Sequence, residues 1–395
     1  MMIVEGKMSN KQNKRFKKHT TGSFFGSFLY DQIIPRDHFL VKARAIIDWD
    51  RFTDRCLRWY QKSTQAGRPP YEPSVLLRIL FLSYLYNISE RQIEERVNLD
   101  LSFKYFVGLG VDEVPPDHST LTYFKDRLLQ GGGKSAFDEL LREILAQAKQ
   151  NGVEFGSIQI VDATHVRADV NTQKEKHRKK DDDEKGDGSF TSRDPDASWG
   201  AKHQRKVKDP KTGKIFKQTE YFHGYKSHTS VNAKSMLITS IKTTTGRIDD
   251  GSQLKTLIEK DNFTPIPKKR AYTGDRGYDY GDNHELLKVK KLGDGLKLNR
   301  YRTEKKNEHK EVWLKLKETK EYQESLKERY KIEQVFGNQK QGHGLARARY
   351  LGGKKFHLQA CLTGVAHNLK IVVAQITGTT LKGYEYRGGR FRFET

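Results

Sequence analysis

Ile158-Gln-Ile-Val-Asp-Ala-Thr-His165 is a short run of β-branched and apolar residues around a single carboxylate, Asp162. From Ser157 to Val166 the chain reads as a buried strand. A second carboxylate, Asp275, follows another short apolar run, in Ala271-Tyr-Thr-Gly-Asp-Arg-Gly-Tyr278. A third acid lies in Glu328-Arg-Tyr-Lys-Ile-Glu-Gln-Val-Phe-Gly-Asn-Gln-Lys340. At about 100° per residue, Arg329, Glu333 and Lys340 fall within roughly 40° of one another on a helix. One helical line therefore carries a carboxylate between two cations.

On the N-terminal side of Ser157 the texture is helical. Residues 1–30 read as a basic flexible tail, and 31–152 as an all-helical domain with room for a helix-turn-helix. Val75, Leu76, Ile79, Leu80 and the run Leu82 to Leu85 keep an apolar face inward, and Pro73 sits where a helix start tolerates proline. Asn87-Ile-Ser89 breaks that helix, with Ser89 as N-cap for Glu90 to Val97. Pro115-Pro-Asp117 opens the next helix, Gly131-Gly-Gly133 ends it, and Phe137 to Ala148 is amphipathic.

On the C-terminal side, residues 172–200 are almost wholly polar and read as a mobile charged insertion. Tyr221–Val231 and Met236–Thr244 read as a hairpin around Asn232-Ala-Lys-Ser235. A helix (252–259), a strand (270–273), a helix (283–289), a strand near 296–298 and a charged helical stretch after Lys305 follow. The predicted class is α+β, with a helical domain followed by a mixed sheet flanked by helices over 153–375. Residues 376–395 read as a basic, aromatic C-terminal tail that stacks on bases, lies on phosphates or has no function.

Bulk properties narrow the partners. The 395 residues suffice for two or three domains, and 31% charged against 35% hydrophobic residues describes a wet surface. The apolar stretch from Val75 to Tyr86 is too short to span a bilayer and contains Arg78. There is no signal-peptide pattern, and Cys56 and Cys361 form no disulfide framework or zinc spacing, which suits a reducing cytoplasm. A net charge of +23 predicts a polyanionic partner without saying which.

Three carboxylates drawn together repel by about 4 kcal/mol per pair at ~4 Å and an effective dielectric near 20. A site built from Asp162, Asp275 and Glu333 therefore needs a cation or a proton. All-oxygen ligation suits Mg²⁺ or Mn²⁺, and two such ions serve phosphodiester chemistry. Arg329 and Lys340 supply charge for phosphates beside them. Each residue also has a plainer reading: Asp162 as a cap, Asp275 in an ordinary turn, Glu333 on a solvated helix face. His165, His223 and His228 have no completing zinc ligands and read as packing or DNA-contact residues.

In these motifs the chain resembles insertion-sequence transposases of the acidic-triad (DDE) type, in the broad IS4/IS5 superfamily and closest to the IS1182-like group. The resemblance runs from about residue 36 to 375. Tyr71-Glu-Pro-Ser-Val-Leu-Leu-Arg-Ile-Leu80, Asn87-Ile-Ser-Glu-Arg-Gln-Ile-Glu94 and Asp117-His-Ser-Thr-Leu121 look like the family's helical N-terminal domain. Asp162-Ala-Thr164 and Gly274-Asp-Arg-Gly-Tyr278 resemble its first and second catalytic motifs, and Arg329-x3-Glu333-x6-Lys340 its third. His343-Gly-Leu-Ala-Arg-Ala-Arg-Tyr350 and Asn368-Leu-Lys370 extend the match. The family's third motif often carries a tyrosine three residues before the arginine; here Leu326 stands there.

The resemblance implies an RNase H-like catalytic domain and a Mg²⁺-dependent endonuclease, with Mn²⁺ able to substitute. Asp162, Asp275 and Glu333 would be catalytic metal ligands, and Arg329, Lys340, Arg347 and Arg349 would contact DNA. The substrates would be double-stranded terminal repeats and target DNA, handled by a homodimer or higher oligomer. The location would be the cytoplasm of a prokaryote, on the nucleoid and not at a membrane. The alternatives are a DNA-binding protein of the same fold that no longer cuts, a nuclease that hydrolyses without strand transfer, and a basic RNA-binding or structural protein.

Overall fold

The structure is a computed structural model that describes residues 16–17, 24–59, 69–175, 192–208, 210, 213, 215–299, 315–381, 384–387 and 390–393. The chain divides into two compact units, Met1–Gln147 with Leu369–Thr395, and Ala148–Asn368.

The first unit is helical: α1 (Phe24–Ile33), α2 (Phe39–Ile46), α3 (Asp50–Leu57), α4 (Pro73–Leu85), α5 (Glu90–Leu99), α6 (Leu101–Val107) and α7 (His118–Gln150). Helix α4 starts on Pro73 and is buried on every side, which is why its apolar residues keep no single stripe. Its one cation, Arg78, is buried with it. The guanidinium donates to Ser74 O at 3.2 Å and Phe106 O at 3.3 Å, and burial pushes its pKa down to about 9. Ser89 caps α5 as its position predicts, in a full capping box with Gln92.

The glycine triplet bends α7 instead of ending it, with Gly133 at φ +57° and ψ −142°. A Cβ on Gly132 would lie 2.6 Å from the Trp59 ring nitrogen, so the triplet also lets that indole pack closely. Residues 1–15 and 18–23 of the expected basic tail lie outside the described residues, while 24–30 belong to α1. The expected C-terminal tail contains a two-stranded hairpin, Tyr384–Arg387 with Arg390–Phe393.

The second unit is built on a six-stranded mixed sheet. Its strands are β1 (Ile158–Arg167), β2 (Ser198–Lys208), β3 (Ile215–Asn232), β4 (Ile238–Thr245), β5 (Ala271–Gly274) and β6 (Gly293–Leu296). Strand β1 lies between β3, antiparallel, and β5, parallel, and β5 continues in parallel to β6. The long β3 is shared: β2 pairs with Ile215–Gly224, while β1 and β4 flank the part from Tyr225 onward. This is the RNase H-like order, with an inserted segment between its first two strands. Helices α8 (Leu254–Asp261), α9 (Gly281–Val289), α10 (Lys320–Glu328) and α11 (Lys331–Gly342) pack against it, as do the residues of α12 (Gly353–Thr377) up to Asn368. Val161, Tyr272, Tyr278, Leu254, Leu257 and Ile258 form a core cluster beneath the β1–β5 pair.

Three boundaries differ from the sequence reading. The hairpin is longer on one side, with β3 beginning at Ile215, and β2 was not anticipated. Residues 176–191 of the charged insertion lie outside the described residues, but its end is anchored: buried Asp194 accepts from Tyr225 Oη at 2.5 Å and Gly352 N at 3.1 Å. The last strand is Gly293–Leu296 instead of 296–298, because glycines there admit close neighbours; a Cβ on Gly295 would sit 2.5 Å from Ser325 Cβ. Of the charged stretch after Lys305, residues 301–314 lie outside the described residues. No helix among the described residues is long and apolar enough to cross a membrane.

One buried ion cluster ties this unit together. His284 of α9 pairs through Nδ1 with Asp294 of β6, and through Nε2 with Asp279 Oδ1 at 2.9 Å. Burial alone would lower its pKa, but the two carboxylates outweigh burial and hold it up at about 9. A pKa raised above the ordinary 6.5 contributes stability that is full below pH ~6.5 and lost as pH rises through about 9. The urea-unfolding free energy is therefore expected to fall by about 3 kcal/mol across that window. His284→Gln should remove the drop; an unaltered pH profile in the variant would refute the clamp.

Candidate functional site

The register of β1 and β5 builds the centre of the site. Ile160 pairs with Thr273, and Asp162 and Asp275 each lie two residues further along. Adjacent strands run ~4.8 Å apart, so continued register sets the two carboxylates side by side. Asp275 leaves its strand and caps a single 3₁₀ turn, Arg276–Tyr278, accepting from Gly277 N at 2.8 Å. Asp162 accepts from Ala163 N at 2.8 Å.

The electrostatics show strain. Burial, then Asp275 and Asp250, push the Asp162 pKa up to about 7 in all, against the opposing pull of Ala163 N–H and Arg329. By surface area Asp162 is half-buried, so water reaches one side of the carboxylate. Asp250, which sequence reasoning missed, follows β4 in the turn Gly246-Arg-Ile-Asp-Asp-Gly251. Lys226 Nζ holds it at 2.9 Å, and His228 Nδ1 lies 3.7 Å away. Burial raises its pKa, and Lys226 works against that. The one sequence signal for Asp250 was Lys226, a cation on an otherwise buried strand.

Two hydroxyls add to this picture. Tyr278 Oη is fully buried, has no hydrogen-bond partner, and has its pKa raised first by burial and then by Asp162, Asp250 and Asp275. Thr229, directly across β1 from Asp162, is buried with its Oγ1 also unpartnered. Buried polar atoms normally find partners. Crowded carboxylates beside orphaned hydroxyls form an oxygen-rich donor set that fits a hydrated divalent cation.

The third expected ligand sits apart. Glu333, on the first turn of α11, is exposed, with Oε1 3.5 Å from Arg329 Nη2. Among the described residues, no set of three ligand atoms within 4.8 Å unites Asp162, Asp275 and Glu333. Asp275, Asp250 and Arg329 all act electrostatically on Asp162, without Asp162, Asp275 and Asp250 forming such a close set either, and Glu333 is in contact with Arg329. The expected helical line holds its direction but is divided, because Arg329 and Tyr330 separate α10 from α11.

Lys340 lies seven residues beyond Glu333, about 10 Å along α11. Burial lowers its pKa, as do neighbouring Lys202 and Arg167. Arg347 is bridged by its backbone to Arg167, at the end of the strand that carries Asp162, and its side chain meets Asp169 Oδ1 at 2.8 Å. Arg349 is held through its backbone N to Gln359 Oε1 at 2.7 Å. The three histidines take packing positions. His165 meets the Phe222 ring at 4.5 Å, His223 meets Trp199 at 5.2 Å, and His228 is buried against Thr244 Oγ1 at 2.8 Å.

The carboxylate strain has a measurable consequence. A pKa raised in the folded state means that stability falls as pH rises from about 4 through about 7. Asp162→Asn removes that penalty. In chelator the variant is expected to be more stable than wild type by on the order of 2 kcal/mol at pH 8, and by much less at pH 5. Adding Mn²⁺ should raise the melting temperature of wild type alone. Equal melting temperatures in chelator at pH 8 would show that the pair carries no strain.

Comparison with known proteins places both units. Residues 154–369 match the family described as "Transposase DDE domain", and residues 28–127 match "Transposase domain (DUF772)". Among solved structures, the chain is similar to a piggyBac transposase in a synaptic complex with hairpin DNA. That match has 10% identity over 91% of this chain and 77% of that chain, with TM-score 0.39. It is also similar to the Mos1 transposase in a paired-end complex with the left transposon end, at 10% identity over 70% and 82% of the two chains, with TM-score 0.20. These structural likenesses are coarse, and the family match carries the assignment.

Proposed function

We propose a two-step DNA cleavage and joining reaction on one premise: the chain belongs to the transposase DDE-domain family and is a transposase. The observation that supports this reading best is the strained pair of Asp162, on β1, and Asp275, just past the end of the adjacent parallel strand β5, with Arg329 acting on Asp162. Asp162 and Asp275 would hold divalent metal, Mg²⁺ or Mn²⁺ in its place, and Asp250, which acts electrostatically on Asp162, would assist. When bound, the metal supplies activation of the attacking oxygen and charge neutralisation at the leaving oxygen.

The residues of the chain do the positioning. Arg329 lies between the acidic pair and Glu333, and its exposed contact with Glu333 is worth under about 1 kcal/mol. A DNA phosphate exchanges easily for such a partner. Arg329 would turn to the phosphate and release Glu333 to complete the ligand set. Lys340, Arg347 and Arg349 would hold DNA further out. In the first step water oxygen bonds to phosphorus and the P–O3′ bond breaks, leaving a 3′-OH. In the second, that 3′ oxygen bonds to a target phosphorus and the target's own 3′ oxygen leaves with the proton. Each step exchanges one P–O bond for another, so no covalent enzyme intermediate is needed. Two element ends act together, which calls for a dimer or higher assembly on DNA.

The test is metal-dependent cleavage and joining on duplexes bearing the element's own flanking ends. Wild type is expected to nick and then join, and Glu333→Gln and Asp275→Ala to lose both by at least 100-fold while binding DNA. Nicking without joined product would identify a hydrolytic nuclease instead. Binding without cleavage by wild type would identify a DNA-binding protein that no longer cuts.

A further inference from the structure

Strand β2 and the first half of β3 form a two-stranded ribbon that extends past the pairing of β1 and β4. Its side chains are unlike those of the sheet. Lys202, Lys206, Lys208 and Lys217 are exposed, and so are Ile215 and Tyr221, at 68% and 62%. In the antiparallel register Lys206 stands opposite Lys217, and Lys208 opposite Ile215. Directly opposed residues share a face, as do residues two apart. Lys206, Lys208 and Lys217 therefore lie on one face.

Among the described residues, no carboxylate pairs with these three lysines. Opposed like charges destabilise a strand pair, and a lone two-stranded ribbon is marginal in water. Glu220, the acid among the described ribbon residues, is taken by Lys202 at 3.0 Å. At its base the ribbon meets more cations, since Lys202 and Arg167 both act on Lys340. A positive track thus runs from α11, beside the acidic centre, through Arg167 and Lys202 to the lysine face.

We propose that this ribbon is a duplex-DNA arm that enters the major groove of DNA flanking the cut, with Lys206, Lys208 and Lys217 against the phosphates. The proposal rests on the transposase reading above. A B-DNA major groove, about 12 Å wide, admits a two-stranded ribbon, whereas the deep, narrow groove of A-form RNA does not. Lys202 to Lys208 spans about 20 Å at ~3.4 Å per residue, long enough to lie in the groove beside several phosphates. Phosphates offset the repulsion between Lys206 and Lys217, which stand opposite each other.

The test measures binding of full-length protein in chelator, by anisotropy, to a duplex carrying the element's own end and flank, across a range of salt. The triple variant K206Q/K208Q/K217Q changes exposed side chains and keeps every backbone pair. Its plot of log K against log[salt] is expected to be shallower by about 2–3, near 0.9 per lost phosphate contact, with affinity at least 10-fold lower at 150 mM salt. In wild type, duplex should shield the three lysines from amine acetylation. An unchanged slope and unprotected lysines would overturn the proposal, as would equal binding to an RNA duplex of the same sequence or tighter binding to phosphatidylserine vesicles. Chelator separates the arm from the chemistry. A wild type that binds with the full slope but does not cut when metal is restored supports the arm and counts against strand transfer. A triple variant that binds and cuts like wild type does the reverse.

Discussion

Two carboxylates, one on β1 and one just past the end of its parallel neighbour β5, are the constraint around which the second unit is organised. At ~5 Å and an effective dielectric near 20 their repulsion is about 3 kcal/mol, a large share of the net stability of most domains. A surface loop would relieve it by moving. Here β1 cannot move, because β3 and β5 hold it on both sides. Asp275 cannot rotate away freely, because Gly277 N–H fixes it and Tyr278 plugs the core one turn later. The fold keeps the charges close, and a site that pre-pays repulsion binds a cation more tightly than a relaxed one.

The surroundings divide into groups that moderate this strain and groups that do not. Lys226 neutralises Asp250 from one side and Arg329 draws on Asp162 from the other, yet neither makes a direct salt bridge to the Asp162–Asp275 pair among the described residues. A lysine bonded between them would have cancelled the repulsion and closed the site to metal. The cations instead stand one step back from the pair. His284, clamped by Asp279 and Asp294, braces the segment after Asp275 against β6 without entering the site.

How much could be read from sequence depended on whether burial left a pattern. Asp162 and Asp275 stood out because each interrupts or ends an apolar run, and Ser89 because capping chemistry is local. Glu333 was legible as a position on a helix, but its separation from the pair was not, because the Arg329 contact depends on side-chain direction. Asp250 was hidden in Asp249-Asp-Gly251, which looks like any turn. Strand β2 was invisible because strand signals come from buried alternation, and the ribbon buries little. Strand β6 was displaced in the reading because Gly293 and Gly295 carry no strand signal; they are there for the close approach of Ala271 and Ser325.

Strand β3 is continuous from the lysine ribbon to Thr229, opposite Asp162. At the junction, a Cβ on Gly224 would fall 2.1 Å from Val166 O, so the strands meet there without slack. A one-residue slip in a strand turns every side chain to the opposite face. A single insertion or deletion between Tyr221 and Thr229 would therefore invert either the arm or the site, whereas changes beyond Lys208 and Ile215 would leave the register intact. Added or removed length is therefore tolerated at the far end of the ribbon without turning the side chains beside Asp162.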